Sequence, residues 1–367
     1  MVKSTLIPKH IWVIALTLFL THCRSGPPPV STPIAEKVTR SPTTTATSTV
    51  TSTPTTTPTE TATPTITPTP TNTPTPTPHP MEPFTIEGMR EREYPGGTIT
   101  IRSVLTTTAT FTRYYIDYPS DDLTITGIMQ IPSGDGPFPV VLLNHGYIPQ
   151  SRYWSGADTW RAAEYLSKQG YLTLSSDFRT WGESDSGDNF FRTGLLIDAL
   201  NLVGSVASIP QADPNRIGMW GHSMGGGVTT KAITIDPRIK AAVLYAPVSG
   251  KDPEVIERWG VGVRRETDEV LVRAYGDAVF RDDFLERTSP INYFDFVTAP
   301  VQIHIGTADT STPPEWSADL NAALVAANRE VEYFVYQGQG HAFAGESWQL
   351  FMERVTDFFK RTLGESS

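Results

Sequence analysis

The chain has 367 residues, a formal net charge of −10 and a single cysteine. One cysteine excludes a disulfide within the chain, and the spaced Cys and His residues of zinc sites are absent. Lysines and arginines are scattered rather than clustered, whereas a protein that binds nucleic acid needs a basic face. We therefore expect no redox role, no structural metal and no nucleic-acid partner, and we interpret the acidic balance as a contribution to solubility.

The first 23 residues predict a signal peptide. Lys3 and Lys9 precede an apolar run at 11–20, which is the arrangement of a secretory signal. The run is about half the ~20 residues that a membrane-spanning helix needs. Leu20-Thr21-His22-Cys23 resembles a bacterial lipoprotein cleavage box, although a histidine stands where that box has a small residue. We predict an exported protein that is anchored to a membrane by a lipid on Cys23, and a secreted protein with an incidental cysteine is the alternative.

Residues 24–80 predict a disordered tether. This segment is dominated by Thr, Pro and Ser, as in Thr65-Ile66-Thr67-Pro68-Thr69-Pro70. Because it has almost no apolar surface to bury, it cannot offset the entropy that folding would cost. Its prolines favour the extended polyproline II conformation, so we expect a semi-rigid spacer between the anchor and a folded domain.

Residues 82–367 predict one domain of the α/β class. Three segments rich in Thr, Ile, Val and Tyr predict antiparallel strands at one edge of a sheet: 98–105, 111–118 and 123–131. Short apolar runs predict buried parallel strands: Val140–Leu143, Tyr171–Leu174, Ile217–Trp220, Ala241–Tyr245, Val301–Ile305 and Val331–Tyr336. Helical patterns separate most of them: 157–169, 193–208, 225–235, 315–328 and 347–362. This alternation predicts a mostly parallel sheet with helices on both faces, whose ligands bind beyond the carboxyl ends of the strands.

A motif typical of a serine nucleophile lies at the carboxyl end of a predicted strand. Gly221-His222-Ser223-Met224-Gly225 follows a predicted strand and precedes a predicted helix. The G-x-S-x-G pattern in this context places its serine on a sharp strand-to-helix turn. A Gly-rich turn without catalytic function is the alternative, and the flanking elements favour Ser223 as a nucleophile.

A serine nucleophile needs a base, and the base needs an orienting acid. In sites of this kind the acid and then the histidine follow the serine in the chain. His341 lies in a Gly-containing loop after the last predicted strand, whereas His304 lies inside an apolar strand and is expected to be packed there. Asp309 follows the strand 301–305 and is the predicted acid, while its rival Asp319 falls on a helix and is expected to face solvent.

An acyl-transfer site also needs donors for the developing oxyanion. The backbone N–H of Met224, directly after the nucleophile, is one expected donor. The loop after the strand Val140–Leu143 supplies the other, and we choose the N–H of Tyr147, with its hydroxyl as an alternative. His145 is expected to shape this loop, and Asp177 with Arg179 to tie neighbouring loops together.

These residues together resemble the α/β-hydrolase superfamily from about Asp122 to the last helix. Within it, the chain resembles the catalytic domain of the prolyl oligopeptidase family, and dienelactone-hydrolase-like esterases share most of the features. The stretches that carry the resemblance are Gly221–Gly225, Ser289-Pro290, Gly306–Pro313 with Asp309, and Gly338–Phe343 with His341. Two departures stand out: no space for a gating β-propeller precedes the core, and His145-Gly146-Tyr147-Ile148 replaces the family's His-Gly-Gly-Pro.

The resemblance implies a serine hydrolase that acts on a small ester or a peptide and needs no cofactor. It does not separate a serine-type peptidase from a carboxylesterase. A surface binding protein that kept the fold and lost catalysis is a further alternative, since a fold does not fix a function. The segment 251–288 is rich in Arg, Glu and Val, and predicts a small helical insertion over the site.

Overall fold

A computed structural model describes residues 81–259 and 282–364. The predicted signal peptide, Cys23 and the predicted tether lie outside the described residues. So does the middle of the predicted insertion, residues 260–281.

One sheet forms the centre of the domain. Its strands are β1 (Thr100–Thr107), β2 (Phe111–Ser120), β3 (Leu123–Pro132), β4 (Phe138–Asn144), β5 (Leu172–Ser176), β6 (Ala212–His222), β7 (Ile239–Tyr245), β8 (Val301–Gly306) and β9 (Val331–Tyr336). They lie in the order β1-β2-β3-β5-β4-β6-β7-β8-β9. The first three strands and the β3–β5 pair are antiparallel, whereas all pairs from β5 to β9 are parallel. The predicted antiparallel edge and parallel core are confirmed.

Helices cover the sheet. They are α1 (Ile86–Glu91), α2 (Trp160–Lys168), α3 (Thr193–Ser205), α4 (Met224–Ile235), α5 (252–259), α6 (Asp282–Thr288), α7 (Pro314–Ala326) and α8 (Gly345–Leu363). Each helix predicted from the sequence is present, with ends shifted by at most a few residues. The predicted insertion is helical at 252–259 and again at Asp282–Thr288.

The core has two layers, one on each face of the sheet. Along β4, Val140 and Leu142 belong to an apolar cluster that includes side chains of α1, α3, α4 and α7, while Val141 and Leu143 belong to a second cluster with side chains of α2 and α8. All four side chains are fully buried. Side chains of successive strand residues point to opposite faces, so a strand covered on both faces is apolar at every position. Burying each such side chain stabilises the fold by about 1.5–3 kcal/mol.

Within the described ranges, one helical run has the length and composition of a membrane span, Phe190–Ser208. It contains α3, and about two thirds of its residues are buried inside the domain. Its apolar character is accounted for by packing against the sheet.

Candidate active site

Ser223 occupies a strained turn between β6 and α4. Its backbone has φ 55° and ψ −117°, which L-residues other than glycine rarely adopt. Its N–H donates to the carbonyl of Tyr245, and its own carbonyl accepts from the N–H groups of Gly227 and Val248. Strain of this kind persists only where the surroundings enforce it, and it is concentrated at functional sites.

The two glycines of the pentapeptide make the turn sterically feasible. A Cβ on Gly221 would lie 2.2 Å from the carbonyl oxygen of Gly225. A Cβ on Gly225 would lie 2.1 Å from the carbonyl oxygen of Asn144 at the end of β4. Both distances are far below van der Waals contact, so α4 can approach β4 and β6 this closely only with glycine at these positions.

The predicted acid and base lie side by side beyond the carboxyl ends of β8 and β9. Nδ1 of His341 is 2.8 Å from Oδ2 of Asp309, whose side chain is fully buried. Oδ1 of the same carboxylate accepts the N–H groups of Ser311 and Thr312 at 2.8 and 3.0 Å. Burial alone would raise the pKa of Asp309, but the hydrogen bonds from His341 and Thr312 outweigh it and lower that pKa. An ionised Asp309 therefore fixes the tautomer with the proton on Nδ1 and leaves Nε2 as the basic atom of His341.

His341 also lies beside the turn that carries Ser223. Its ring centroid is 4.7 Å from that of His222, the residue before Ser223. Among the described residues, no hydrogen bond joins the Ser223 hydroxyl to His341. Such bonds are often long before substrate binds and shorten in the complex.

The segments that carry the two expected oxyanion donors adjoin Ser223. Met224 is the first residue of α4, where backbone N–H groups have no partner within the helix. On the other side, Gly146 approaches so closely that a Cβ there would lie 3.2 Å from Cβ of Ser223. The N–H of Gly146 donates to Asp158 at 2.7 Å, so this group is occupied. Tyr147, the next residue, is 68% exposed and its ring packs edge-on against Trp181.

His304, His145 and Asp319 lie in the surroundings that the sequence predicted for them. His304 is fully buried and bonded to Tyr336 and Gln302, while His145 contacts the carbonyls of Gly146 and Asp177 and so shapes the loop. The Asp319 side chain is half exposed and pairs with Lys251.

Asp177 and Arg179 tie neighbouring loops together. The Asp177 carboxylate accepts from three hydroxyl groups, those of Thr126, Tyr153 and Ser155. Arg179 pairs with the buried Asp198 at 2.8 Å. The structural role predicted for both residues is confirmed.

Sequence reasoning missed a second histidine–carboxylate pair beside the nucleophile. Nδ1 of His222 lies 2.9 Å from Oδ2 of Asp158, and the two residues are 64 positions apart. Asp158 has a positive φ of 69° in the loop before α2. The only sequence feature that pointed to this pair was a histidine directly before Ser223. Nothing in the sequence identifies Asp158 as its partner.

Across the described part of the chain, no group of three or more His, Cys, Asp or Glu side chains is arranged to hold a metal ion. The arrangement provides a strained serine, a histidine with an available Nε2 and a buried carboxylate that is hydrogen-bonded to that histidine.

Comparison with known proteins identifies the family. The profile of the prolyl oligopeptidase family matches residues 164–366, more than half of the chain and the part that contains Ser223, Asp309 and His341. The chain belongs to the prolyl oligopeptidase family. It is a serine hydrolase with the α/β-hydrolase fold.

Individual relatives include both peptidases and esterases. The chain is 26% identical over 235 residues to dipeptidyl peptidase family member 6 of Caenorhabditis elegans, covering 58% of this chain and 31% of that protein. It therefore spans about a third of that relative's length.

Solved structures with the same fold also include both esterases and peptidases. Acetyl xylan esterase 1 from Thermoanaerobacterium sp. JW/SL YS485 superposes with a TM-score of 0.54 at 19% identity, over 74% of this chain and 90% of the esterase. Acylaminoacyl peptidase of Pyrococcus horikoshii superposes with a TM-score of 0.54 at 22% identity, over 71% of this chain and 43% of the peptidase. At these identities the superpositions establish the fold and leave the substrate open.

Proposed function

We propose that this family member hydrolyses ester or peptide bonds through an acyl-enzyme on Ser223, with His341 as base and Asp309 as orienting acid. The observation that carries the proposal is the strained Ser223 turn beside the hydrogen-bonded His341–Asp309 pair. A serine hydroxyl is a weak nucleophile at neutral pH, so it requires this kind of base.

The reaction has two halves. In the first, Oγ of Ser223 bonds to the substrate carbonyl carbon while its proton passes to Nε2 of His341, and the carbonyl electron pair moves onto oxygen. The tetrahedral intermediate then expels the alcohol or amine, which leaves with the proton from His341. In the second half, Nε2 of His341 takes a proton from water while the water oxygen bonds to the acyl carbon. The bond from that carbon to Oγ of Ser223 then breaks, Oγ takes the proton back from His341, and the carboxylic acid product is released. Asp309 stabilises the imidazolium in both halves without itself taking the proton.

The oxyanion is bound by backbone donors in this proposal. The N–H of Met224 at the start of α4 is one donor, and the N–H of Tyr147 is the other. The choice of Tyr147 is supported by its neighbour, because the N–H of Gly146 already donates to Asp158. Removing one such donor costs other enzymes about 10²–10³ in kcat.

Between the two substrate classes, we favour an ester. The chain covers 90% of the acetyl xylan esterase and only 43% of the acylaminoacyl peptidase, so its likeness to the esterase extends over nearly the whole of that enzyme. The family membership supports the alternative, a peptide. Ester and peptide substrates differ in the leaving group. An amide nitrogen must be protonated by His341 as it departs, whereas an alkoxide leaves more readily.

Kinetics with matched substrates test this proposal. We would measure kcat/KM for short-chain esters and for amides with the same acyl group, with Ser223→Ala protein as the blank. Fast ester cleavage without amide cleavage supports the carboxylesterase, and amide turnover close to ester turnover supports the peptidase. A fluorophosphonate that fails to label Ser223 in folded protein would favour the alternative, a binding protein that kept the fold and lost catalysis.

We also propose that the enzyme is exported and held at a membrane by a lipid on Cys23. The support is the charged and apolar amino-terminal pattern, the cleavage-box resemblance and the position of the single cysteine of the chain. Growth of an expressing bacterium with radioactive palmitate tests it. Label and membrane association that disappear in Cys23→Ser support the anchor, and label that persists in that variant excludes it.

A further inference from the structure

His222 is buried between two hydrogen-bond acceptors. Its Nδ1 lies 3.0 and 2.9 Å from the two carboxylate oxygens of Asp158. Its Nε2 lies 3.0 Å from the backbone carbonyl oxygen of His341. A neutral imidazole carries only one N–H, so it can donate to only one of these acceptors. Both hydrogen bonds can form only when His222 is an imidazolium, and Asp158 supplies the matching negative charge.

Asp158 extends this connection to the oxyanion loop. Its Oδ2 also accepts the N–H of Gly146 at 2.7 Å. An unbroken chain of hydrogen bonds therefore runs from the backbone of Gly146 through Asp158 and His222 to the backbone of His341. Ser223 follows His222 directly, so this hydrogen-bond chain passes next to the nucleophile and joins the Gly146 loop to the His341 loop.

We propose that His222 and Asp158 form a positioning pair that holds the His341 loop and the Gly146–Tyr147 loop in register around Ser223. This inference rests on the proposed function, in which those loops carry the base and an oxyanion donor. Neither member of the pair needs to touch the substrate. The pair acts by fixing two backbone groups, and a displacement of about 1 Å at such a site can cost about 10² in rate.

The charges around His222 agree with this arrangement. Burial alone would lower its pKa, but the Asp158 carboxylate and the carbonyl of His341 outweigh burial and raise that pKa. Burial alone would raise the pKa of Asp158, but His222 and the N–H of Gly146 bring it down to about 2. The other ionisable groups that face His222 are the stacked Tyr245, the ring of His341 and, at longer range, Asp309.

A double-mutant cycle tests the pair. His222→Phe keeps a ring on Tyr245 and removes both N–H groups, while Asp158→Asn keeps the shape and removes the charge. Each variant is expected to lower kcat for an ester about 10- to 100-fold with KM nearly unchanged. The double variant is expected to lose no more than either single variant, because the two residues act as a unit.

A remote variant controls for lost stability. Phe359→Leu changes a fully buried side chain on α8. It is expected to lower the melting temperature and leave kcat unchanged. If folded His222→Phe retains the wild-type kcat, or if the effects of the two single variants multiply in the double variant, the positioning role is wrong.

Two further measurements separate positioning from general structural support. The wild-type kcat is expected to fall as rising pH removes a proton from His222, and this alkaline fall is expected to be absent from His222→Phe. Nitrogen-15 NMR is expected to show protons on both ring nitrogens of His222 at neutral pH, and a single proton there contradicts the pair. The NMR result does not depend on catalysis. An inactive wild-type protein would refute the proposed function, and the NMR spectrum would still show whether His222 carries both protons in a pair with Asp158.

Discussion

Oδ2 of Asp309 lies 2.8 Å from Nδ1 of His341, while the other oxygen of that carboxylate is held by two backbone N–H groups of the same loop. These two bonds hold the carboxylate independently of the histidine. The hydroxyl of Thr312 donates a further hydrogen bond to Oδ2 at 2.9 Å. A carboxylate held by three hydrogen bonds besides the one to His341 is well placed to orient that histidine.

Replacing this acid tests its role. Asp309→Asn is expected to lower kcat by about 10³–10⁴, because an amide in that position no longer fixes the tautomer with a basic Nε2. KM for the ester is expected to change little. Steady-state kinetics across a range of ester concentrations separate the two parameters.

The rival acid is the matched control. Asp319 is half exposed on α7 and pairs with Lys251 on the protein surface. Asp319→Asn is therefore expected to retain kcat within about two-fold, since exposed ion pairs contribute little. A large loss in Asp319→Asn with full activity in Asp309→Asn would reverse the assignment.

Because α4 lies so close to β4, we expect a side chain at Gly225 to lower the free energy of unfolding. Gly225→Ala places a methyl group 2.1 Å from the Asn144 carbonyl oxygen, so backbone must move. Overpacking of this kind costs about 1–3 kcal/mol. Urea unfolding should show that loss, whereas Gly340→Ala, whose new methyl meets nothing closer than 3.9 Å, should unfold within about 0.5 kcal/mol of the wild type. Equal stability of the two variants would contradict the packing described here.

A buried ion cluster connects α4, the helix that follows Ser223, to the predicted insertion. Nζ of Lys231 on α4 lies 2.7 Å from Asp252 at the start of α5, and Arg192 pairs with the same carboxylate. Burial, opposed only in part by Asp252, lowers the pKa of Lys231 to about 8. Asp252→Asn leaves two cations facing each other without a counter-charge, and it is expected to destabilise the fold by about 3–5 kcal/mol in urea unfolding.

The double variant Asp252→Asn with Lys231→Met controls for this effect. Removing the buried ammonium together with its partner is expected to recover at least half of the lost stability, because the cost lies in the unpaired charge. No recovery would mean that the loss arises from packing around Asp252.

The second histidine–carboxylate pair predicts a pH window. The pKa of His222 is raised, so its contribution is fully present below its unfolded value of about 6.5 and is lost as pH rises through the folded pKa. The pKa of Asp158 is lowered to about 2, so its contribution is present above about 4 and is lost as pH falls toward 2. The difference in unfolding free energy between wild type and Asp158→Asn is therefore expected to be largest between about pH 4 and 6.5. A difference that stays constant from pH 2 to 9 would contradict the ion pair.

The sheet was predictable from the sequence, and Ser223, Asp309 and His341 could be singled out as candidates, because each rests on a local pattern. Apolar runs bounded by turns identify buried strands, and the acid and base follow β8 and β9 directly in the chain. The strand β6 was predicted too short, at Ile217–Trp220, because Asp213 and Pro214 resemble a turn. In the structure it begins at Ala212, which pairs with Phe138 before a shift in register.

The pairing of His222 with Asp158 could not be predicted in the same way. It joins residues 64 positions apart, and Asp158 reaches it from a loop with a positive φ. Neither residue type is unusual in such positions. Only the three-dimensional packing of the loop before α2 against the Ser223 turn brings them together.

The most direct test of the central claim is mass spectrometry of the enzyme after brief mixing with p-nitrophenyl acetate and acid quenching. The proposed mechanism predicts one acetyl group on the peptide that contains Ser223, formed together with a burst of p-nitrophenol. It also predicts that Ser223→Ala forms neither, and that His341→Ala forms the adduct far more slowly. An acetyl group on another residue, or undiminished turnover by Ser223→Ala, would show that Ser223 is not the nucleophile.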